Sequence, residues 1–267
     1  MRSTSTERHW PGEVHTTEER IIGCLRQYAY GLVEEFADPN SRLLDVGFGE
    51  GFGSAIVSPY VREYVGAEVE RDAVEHASRI YAGPNVSFVH YDGPVLPFED
   101  GSFDLVISFQ VMEHVKDVEG YLREISRVSA PGATVLIVTP NRNHRLDDGE
   151  RPWNRYHVRE FSPSELRASL EDVFADVELL GIHGSSVMER IESERVARIR
   201  RLVRLDPLGM RYLVPERLDT WLRSLRRGRP ASEQEEVLAE IDVKKMYRSA
   251  DGVDDSLDLL AIAHIPT

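Results

Sequence analysis

Short apolar runs alternate with amphipathic segments from residue 42 onwards. Four of these runs have the length of strands and lie at residues 43–46, 64–68, 86–89 and 103–109. The last of them is almost continuously apolar, as expected of a strand that is covered on both faces. Apolar residues at helical spacing in the intervening segments complete a βαβα order. This order predicts an α/β fold with a mostly parallel, doubly wound sheet and helices on both faces.

Three further strands bring the predicted sheet to seven. The fifth strand follows a turn at Pro131-Gly132 and covers residues 133–138. The last two strands cover residues 176–182 and 257–265. The 267 residues suit one α/β domain with an elaboration, or one domain plus a small subdomain.

The chain divides into three predicted parts. Residues 1–40 form an irregular N-terminal arm followed by a helix. Residues 41–184 and 251–267 form the α/β core. Residues 185–250 are predicted to be a helical insertion before the last strand, because their composition differs from that of the core.

Composition and charge narrow the class of protein. The chain has 267 residues, of which 41% are hydrophobic, and a formal net charge of -14. Such an acidic surface repels phosphate backbones, so we expect no nucleic-acid partner. The single cysteine, Cys24, favours a reducing compartment. No stretch has the apolar length of a membrane span, and residues 1–9 lack the apolar core of a signal peptide, so we expect a cytoplasmic protein.

The predicted insertion is basic. Residues 185–230 contain twelve arginines, no lysine and six acidic residues, which gives a local net charge of +6. Two roles fit this segment: a lid over an acceptor that is anionic or carries a sugar, or a solvated helical layer that forms a homodimer. Its large apolar residues require a packing partner in both cases. They include Leu202, Leu205, Leu208, Met210, Tyr212, Leu213 and Trp221.

A glycine-rich turn after the first strand is the candidate cofactor site. It contains Gly47, Gly49 and Gly51, and glycines let a backbone turn sharply and approach a ligand closely. A dinucleotide fingerprint fails because its sixth position is Phe52, and a phosphate-binding loop fails because it lacks a lysine. Asp45 would repel a pyrophosphate and attract a cation. The turn therefore favours a ligand with a cationic amino-acid end, such as S-adenosylmethionine (SAM), although a tight turn alone is the alternative.

An ordered set of segments around this turn resembles the motifs of class I SAM-dependent methyltransferases. The resemblance covers residues 42–140, with a weaker echo at 157–163. Residues 43–51 resemble motif I of this family, and the complete ordered set of segments is more specific than this motif alone. The matching segments are 43–51, Glu68, 91–93, 96–104, 110–115 and 127–133.

The resemblance implies a Rossmann-like sheet with an antiparallel last strand, SAM as cofactor and S-adenosylhomocysteine as product. Glu68 would accept hydrogen bonds from the ribose hydroxyls, and Asp92 would bind the adenine amino group. A solvated strand end and a plain turn are the alternative interpretations of these two residues. Phe48 is bulkier than usual, and Gln110 stands where a glutamate is common. The predicted cofactor-binding residues are Asp45, Gly47, Phe48, Gly49, Gly51, Glu68, Val69, Asp92, Gly93 and Phe109.

Two histidines are the predicted catalytic residues. Methyl transfer needs a protein base only when the acceptor must lose a weakly acidic proton, and histidine accepts protons near neutral pH. His114 follows the fourth strand and His157 the fifth, at the carboxyl edge where such sheets bind ligands. A packing role or a solvated position is the alternative for both. Asp147 and Asp148 lack suitably spaced partner ligands, so we expect no metal.

The resemblance extends to bacterial methyltransferases of sugars, polysaccharide precursors and natural products, and to quinone methyltransferases. The first hypothesis is O-methylation of a hydroxyl on a small molecule or glycan. The second is C- or N-methylation of a quinone or another metabolite. A SAM-binding regulatory protein without turnover is the alternative from a different class. The arm that contains Trp10 and His15 is expected to fold over the cofactor.

Overall fold

The computed structural model describes residues 16–147, 149–205, 238 and 240–267. These residues build one eight-stranded sheet in the order β3-β2-β1-β4-β5-β8-β6-β7. The strands are β1 (Arg42–Val46), β2 (Glu63–Glu68), β3 (Val86–His90), β4 (Phe103–Phe109), β5 (Ser129–Pro140), β6 (Asp176–His183), β7 (Tyr247–Ser249) and β8 (Asp258–His264).

The direction of the strands confirms the predicted fold. β1 to β5 pair in parallel, whereas β8 pairs antiparallel with both β5 and β6, and β7 pairs antiparallel with β6. The sheet is therefore mostly parallel, with an antiparallel last strand. β1 lies between β2 and β4, where the strand order reverses. Open α/β sheets bind ligands at this switch point, beyond the carboxyl ends of the strands.

The sequence predicts seven strands and the structure has eight. The additional strand is β7, which lies at the edge of the sheet within the range predicted to be mainly helical. Three residues are too few to show the alternation of apolar and polar positions that marks a strand. β5 also begins earlier than predicted, at Ser129. Pro131 and Gly132, predicted to form a turn, lie within the strand, next to a register shift in its pairing with β4.

Seven α-helices are described, and two of them begin at capping boxes. Thr16 and Ser162 each accept the backbone N–H three residues later, and a glutamate at that position returns the hydrogen bond. Both sequences match the pattern that predicts such a start. The helices are α1 (Thr17–Leu32), α2 (Gly53–Val57), α3 (Arg71–Tyr81), α4 (Val118–Val128), α5 (Arg142–Arg145), α6 (Pro163–Glu171) and α7 (Ser186–Arg204).

The sheet buries an apolar cluster on each face. Leu105 of β4 belongs to the cluster that includes residues of α1 together with Met188 of α7. Its neighbour Val106 points to the other cluster, which includes Leu122 of α4 and Leu166 of α6. Successive residues of a strand face opposite sides, so a continuously apolar β4 is what two covered faces require.

The start of the predicted insertion is part of the folded core. Met188 and Val196 of α7 are buried, whereas Leu202 and Leu205 near its end are exposed. Within the described ranges, no helix is long and apolar enough to cross a membrane. Several residues singled out in the sequence lie outside the described residues. They are Trp10, His15, Asp148, Leu208, Met210, Tyr212, Leu213 and Trp221.

Candidate active site

The glycine-rich turn joins β1 to α2 at the switch point of the sheet. Gly47, Gly49 and Gly51 all have positive φ angles, of 79°, 60° and 83°. A side chain at Gly47 would lie 2.5 Å from a methyl group of Val111, and one at Gly51 would lie 2.6 Å from Ala77 of α3. A side chain at Gly49 would have no atom within 4 Å. Two of these glycines therefore let the turn pack against the protein, and Gly49 alone of the three faces open space.

Glu68 connects the end of β2 to this turn. Its Oε2 accepts the N–H of Gly49 at 3.1 Å, and its Oε1 accepts the N–H groups of Val69 and Glu70 at 2.7 and 3.2 Å. The residue is only 8% exposed. The acid predicted from the second strand therefore lies directly beside the one glycine of the turn that faces open space.

Asp45 lies beneath the turn and has no exposed surface. Its Oδ2 accepts hydrogen bonds from the hydroxyls of Tyr30 in α1 and Tyr64 in β2, while its Oδ1 is buried without a hydrogen-bond partner in the structure. Burial raises the pKa of the Asp45 carboxyl to about 7, against the opposing effect of the two tyrosine hydrogen bonds. In this conformation the carboxyl group supports the turn from below and is not open to a ligand.

The aromatic residues predicted at the cofactor site face the protein interior. Phe48 is 2% exposed and its ring packs against that of Phe88, with the centroids 4.8 Å apart. Phe109, at the end of β4, packs edge-on against Tyr30 at 5.1 Å. Both rings are therefore packed in the protein interior next to the turn. The unusual size of Phe48 is accommodated because Gly66 in β2 has no side chain at the point of contact.

Three predicted residues, Val69, Asp92 and Gly93, follow β2 and β3, the two strands on one side of β1. Val69 is 41% exposed. The Asp92 side chain is 79% exposed and lies 3.2 Å from Nε2 of His90 and 3.6 Å from the guanidinium of Arg71. Gly93 has open space around its Cα. Val69 and Asp92 thus have surface available to a ligand that extends from the turn past Glu68.

The two predicted catalytic histidines are in contact. The rings of His114 and His157 meet edge-on, with their centroids 4.8 Å apart. His114 ends a short 3₁₀ turn, Met112–His114, after β4, and its Nδ1 lies 3.0 Å from the backbone oxygen of Tyr156. Residues 114 and 157 are far apart in sequence, so the sheet edge brings them together as the strand order implies.

His157 is held by a buried glutamate, Glu160, which is not among the site residues predicted from the sequence. Nδ1 of His157 lies 2.7 Å from Oε1 of Glu160, whose side chain has no exposed surface. Although burial opposes it, Arg145 and the His157 hydrogen bond hold the pKa of Glu160 below its ordinary value. In the sequence, the signal for this pair is that Glu160 follows His157 by three residues in the loop after β5. The sequence comparison with the family gives this segment only as a weak match to a motif.

Gln110 and Glu113 also lie at the end of β4 and are further additions to the predicted set. Gln110 is the only non-glycine residue with a positive φ in the described part of the chain, at 58°, and its amide donates to Asp258 at 3.0 Å. Such a backbone conformation is strained for a residue with a side chain and is typical of functional sites. Glu113 is fully buried, and its Oε2 accepts the hydroxyl of Thr139.

The proposed insertion reaches this histidine-bearing side of the site through α7. Arg200 donates to the backbone oxygens of Arg145 and His144 at 3.1 and 3.2 Å, and it lies 3.1 Å from Asp147. Asp147 also pairs with Arg204. Asp147 is thus paired with two arginines of α7.

Comparisons with known proteins identify the class. A family model described as "Methyltransferase domain" matches residues 44–137. A protein named "Probable S-adenosylmethionine-dependent methyltransferase" from Mycobacterium tuberculosis is 29% identical over 84% of this chain and 77% of its own length. A relative of the same description from Mycolicibacterium smegmatis is 35% identical over 55% of this chain, but the chain spans only 57% of that protein.

Other relatives carry names that specify an acceptor. A tocopherol O-methyltransferase from Arabidopsis thaliana is 31% identical over 57% of this chain and 44% of its own length. A norajmaline N-methyltransferase from Rauvolfia serpentina is 34% identical over 39% of this chain and 38% of its own length. The solved structure of the YcgJ protein from Bacillus subtilis, at 18% identity, shares the fold with a TM-score of 0.54 over 90% of this chain and 99% of its own.

Residues 44–137 match a methyltransferase domain, and the chain is similar over 84% of its length to a probable SAM-dependent methyltransferase. The domain and these relatives imply SAM as the cofactor.

The buried Asp45 makes the stability of the fold depend on pH. The pKa of its carboxyl is about 7 in the folded protein and about 3.9 in an unfolded chain. The folded state therefore keeps a proton that the unfolded state releases, and the free energy of unfolding falls as the pH rises from about 4 to about 7. Asp45→Asn keeps an acceptor for both tyrosines and removes this titration.

Chemical denaturation at pH 5 and pH 8 checks this prediction. Wild type should lose more stability between the two pH values than Asp45→Asn does. Burial also raises the pKa of Asp258 to about 7, so Asp258→Asn separates its contribution. Equal losses in wild type and Asp45→Asn would contradict the assignment.

Proposed function

We propose that the protein transfers the methyl group of SAM to a small-molecule acceptor, in the first place to a hydroxyl of a sugar, glycan or natural product. One observation carries this proposal: the open position above Gly49 and the His114–His157 pair lie at the same carboxyl edge of the sheet. They follow β1 and β4, which are neighbouring strands. A donor in the turn and an acceptor beside the histidines would therefore be adjacent.

The residues at the turn fit SAM. The space above Gly49 is open where the spaces beside Gly47 and Gly51 are filled, so a ligand can lie against the backbone at this one position. The Glu68 carboxylate beside it is suited to accept both hydroxyls of a ribose. Val69 and Asp92 would then lie along the adenine, while Asp45, Phe48 and Phe109 would support the turn from below.

The histidines are suited to remove a proton from a hydroxyl acceptor. When bound, SAM supplies an activated methyl group, so most of the rate can come from alignment and from exclusion of water. The Glu160 carboxylate accepts a hydrogen bond from Nδ1–H of His157, which fixes the tautomer and leaves Nε2 as the basic nitrogen. The oxygen of Tyr156 has the same effect on His114. Each ring can therefore accept the hydroxyl proton as the methyl group is transferred.

The acceptor atom is proposed to be an oxygen in the first place. Relatives named as an O- and an N-methyltransferase support both kinds of acceptor, and C- or N-methylation of a quinone or another metabolite is the second candidate. A SAM-binding regulatory protein is the alternative without turnover. The two histidines at the sheet edge, which can act as bases, favour the enzyme.

Residues 185–250 would contribute to the acceptor site or form a homodimer. The contacts of Arg200 support this role. A cytoplasmic location remains part of the proposal.

Cofactor binding should depend on the open position at Gly49. Gly49→Ala places a methyl group where the ligand lies, so SAM affinity, expected in the micromolar range of about −8 kcal/mol, should fall at least tenfold. Gly149→Ala is the matched control, because Gly149 also has a positive φ of 77° and open space around it but lies outside the site. Both variants carry the same kind of backbone strain, and only Gly49→Ala should lose affinity.

Calorimetric titration with SAM and with S-adenosylhomocysteine measures both variants. Glu68→Gln tests the second half of the site, since the loss of charged hydrogen bonds to a ribose should cost about 1.5–3 kcal/mol. Affinities within twofold of wild type in folded Gly49→Ala and Glu68→Gln would remove the turn from the cofactor site.

Turnover should depend on the histidine pair if the acceptor is an aliphatic or sugar hydroxyl. His114→Ala is expected to lower the turnover number by roughly 10²–10⁴-fold, the usual contribution of a general base. SAM affinity should hardly change, because His114 lies beside the acceptor rather than along the adenosine. Release of S-adenosylhomocysteine, together with a product heavier by one CH2 group, measures turnover over a panel of acceptors.

His157→Ala and the double variant distinguish the possible outcomes. If only His157→Ala lowers the turnover number, His157 is the base. Glu160→Gln should then lower the turnover number as well, but by a smaller factor. Full turnover in both single variants and in the double variant would contradict a histidine base. That result would indicate an acceptor that needs no protein base, such as an amine, a phenol or an enolised carbon.

A further inference from the structure

Three potential metal ligands converge beside the proposed acceptor position. Glu113, His114 and His157 each present one ligand atom, and these atoms all lie within 4.8 Å of one another. Two of the residues are consecutive after β4, and the third comes from the loop after β5. Ligand atoms bound at 2.0–2.2 Å in a tetrahedral site lie about 3.3–3.6 Å apart. Closing the three side chains around an ion therefore requires the longest of these distances to shorten by at most about 1.5 Å.

The groups behind the three ligands match what metal sites require. A histidine that binds a metal through one nitrogen almost always donates the other N–H to a carboxylate or a backbone oxygen. His157 has Glu160 in this position at 2.7 Å, and His114 has the oxygen of Tyr156 at 3.0 Å. Both rings are therefore oriented through Nδ1, and Nε2 is the nitrogen that each would offer to an ion.

The third ligand is held equally well. Oε2 of Glu113 accepts the hydroxyl of Thr139 at 2.9 Å, and the backbone oxygen of Glu113 accepts the N–H of Val158 at 2.8 Å. The second contact ties the loop after β4 to the loop that carries His157. The ligand set is thus pre-organised across two loops. Glu113 is fully buried and His114 only partly so, which leaves His114 on the side from which an ion would enter.

The ligand chemistry selects the class of ion. Imidazole nitrogens suit zinc, copper, nickel and iron, whereas magnesium and calcium prefer sites made of oxygens alone. Two imidazoles and one carboxylate also form the ligand set of catalytic zinc sites, which keep further positions open for water or substrate.

We propose that Glu113, His114 and His157 bind a first-row transition ion, with Zn²⁺ as the favoured occupant. This inference goes beyond the proposed methyl transfer and does not depend on the acceptor. It replaces the expectation of no metal, which rests on Asp147 and Asp148 rather than on these residues. Because a bound ion occupies both Nε2 lone pairs, the general-base role proposed above belongs to the metal-free chain.

Metal titration of the untagged full chain, freed of metal with a chelator, tests the proposal. Co²⁺ should bind at one ion per chain with visible absorption, and Zn²⁺ should displace it. Glu113→Gln and His157→Gln should each weaken binding about 100-fold or more, and Glu160→Gln about 10–100-fold, as expected for a residue that orients a ligand. His76→Gln is the matched control, because His76 pairs with Glu50 at 3.5 Å on the surface and should leave binding unchanged.

X-ray absorption of the zinc-loaded wild-type chain keeps the test independent of how the variants fold. The spectrum should show two imidazoles and only nitrogen and oxygen neighbours. A sulfur neighbour would place the ion at Cys24 and overturn the proposal. Failure to bind Co²⁺ or Zn²⁺, or equal affinity in wild type and the folded variants, would overturn it as well. Because SAM titration is a separate measurement, failure here leaves the cofactor site untouched.

Discussion

The hydrogen bond from Gly49 to the Glu68 carboxylate connects the two parts of the proposed cofactor site. It joins the turn after β1 to the end of β2, and the turn can make it only because its glycines adopt left-handed conformations. Gly47 and Gly51 let the backbone lie against Val111 and against α3 without a side chain in between. The position of Gly49 follows from these contacts, and the open space above it remains for a ligand.

The same region is stabilised from below by a buried polar contact. Tyr30 and Tyr64 donate to one oxygen of Asp45, so α1, β1 and β2 meet at a single carboxyl group. A buried carboxyl group is costly when it is charged, which is why its pKa lies well above the ordinary value for an aspartate. The turn thus rests on a contact whose strength depends on protonation, and this links the shape of the cofactor site to the stability of the fold.

The sequence predicts most of the fold because its signals are local. The segments that form β1 to β6 and β8 are apolar runs of sufficient length. Each of the two capping boxes lies within four consecutive residues. β7 has no such signal, since three edge residues owe their pairing to β6. The glycine turn, Glu68 and the two histidines are likewise recognisable from type and spacing.

What the sequence does not show is how residues distant along the chain combine. The charge of Asp45 suggests a direct role toward a cationic ligand, yet Tyr30 and Tyr64 enclose its side chain. The burial of Glu113 and Glu160 beside the histidines depends on packing between the loops after β4 and β5. Such burial turns two ordinary glutamates into groups that orient a base or bind an ion.

A crystal structure of the chain with S-adenosylhomocysteine would show where the cofactor binds. We expect both ribose hydroxyls to lie within hydrogen-bonding distance of the Glu68 carboxylate and the amino-acid end to lie against the backbone at Gly49. The sulfur should face His114 and His157. A ligand bound away from Glu68, or one whose sulfur is directed away from both histidines, would contradict this expectation.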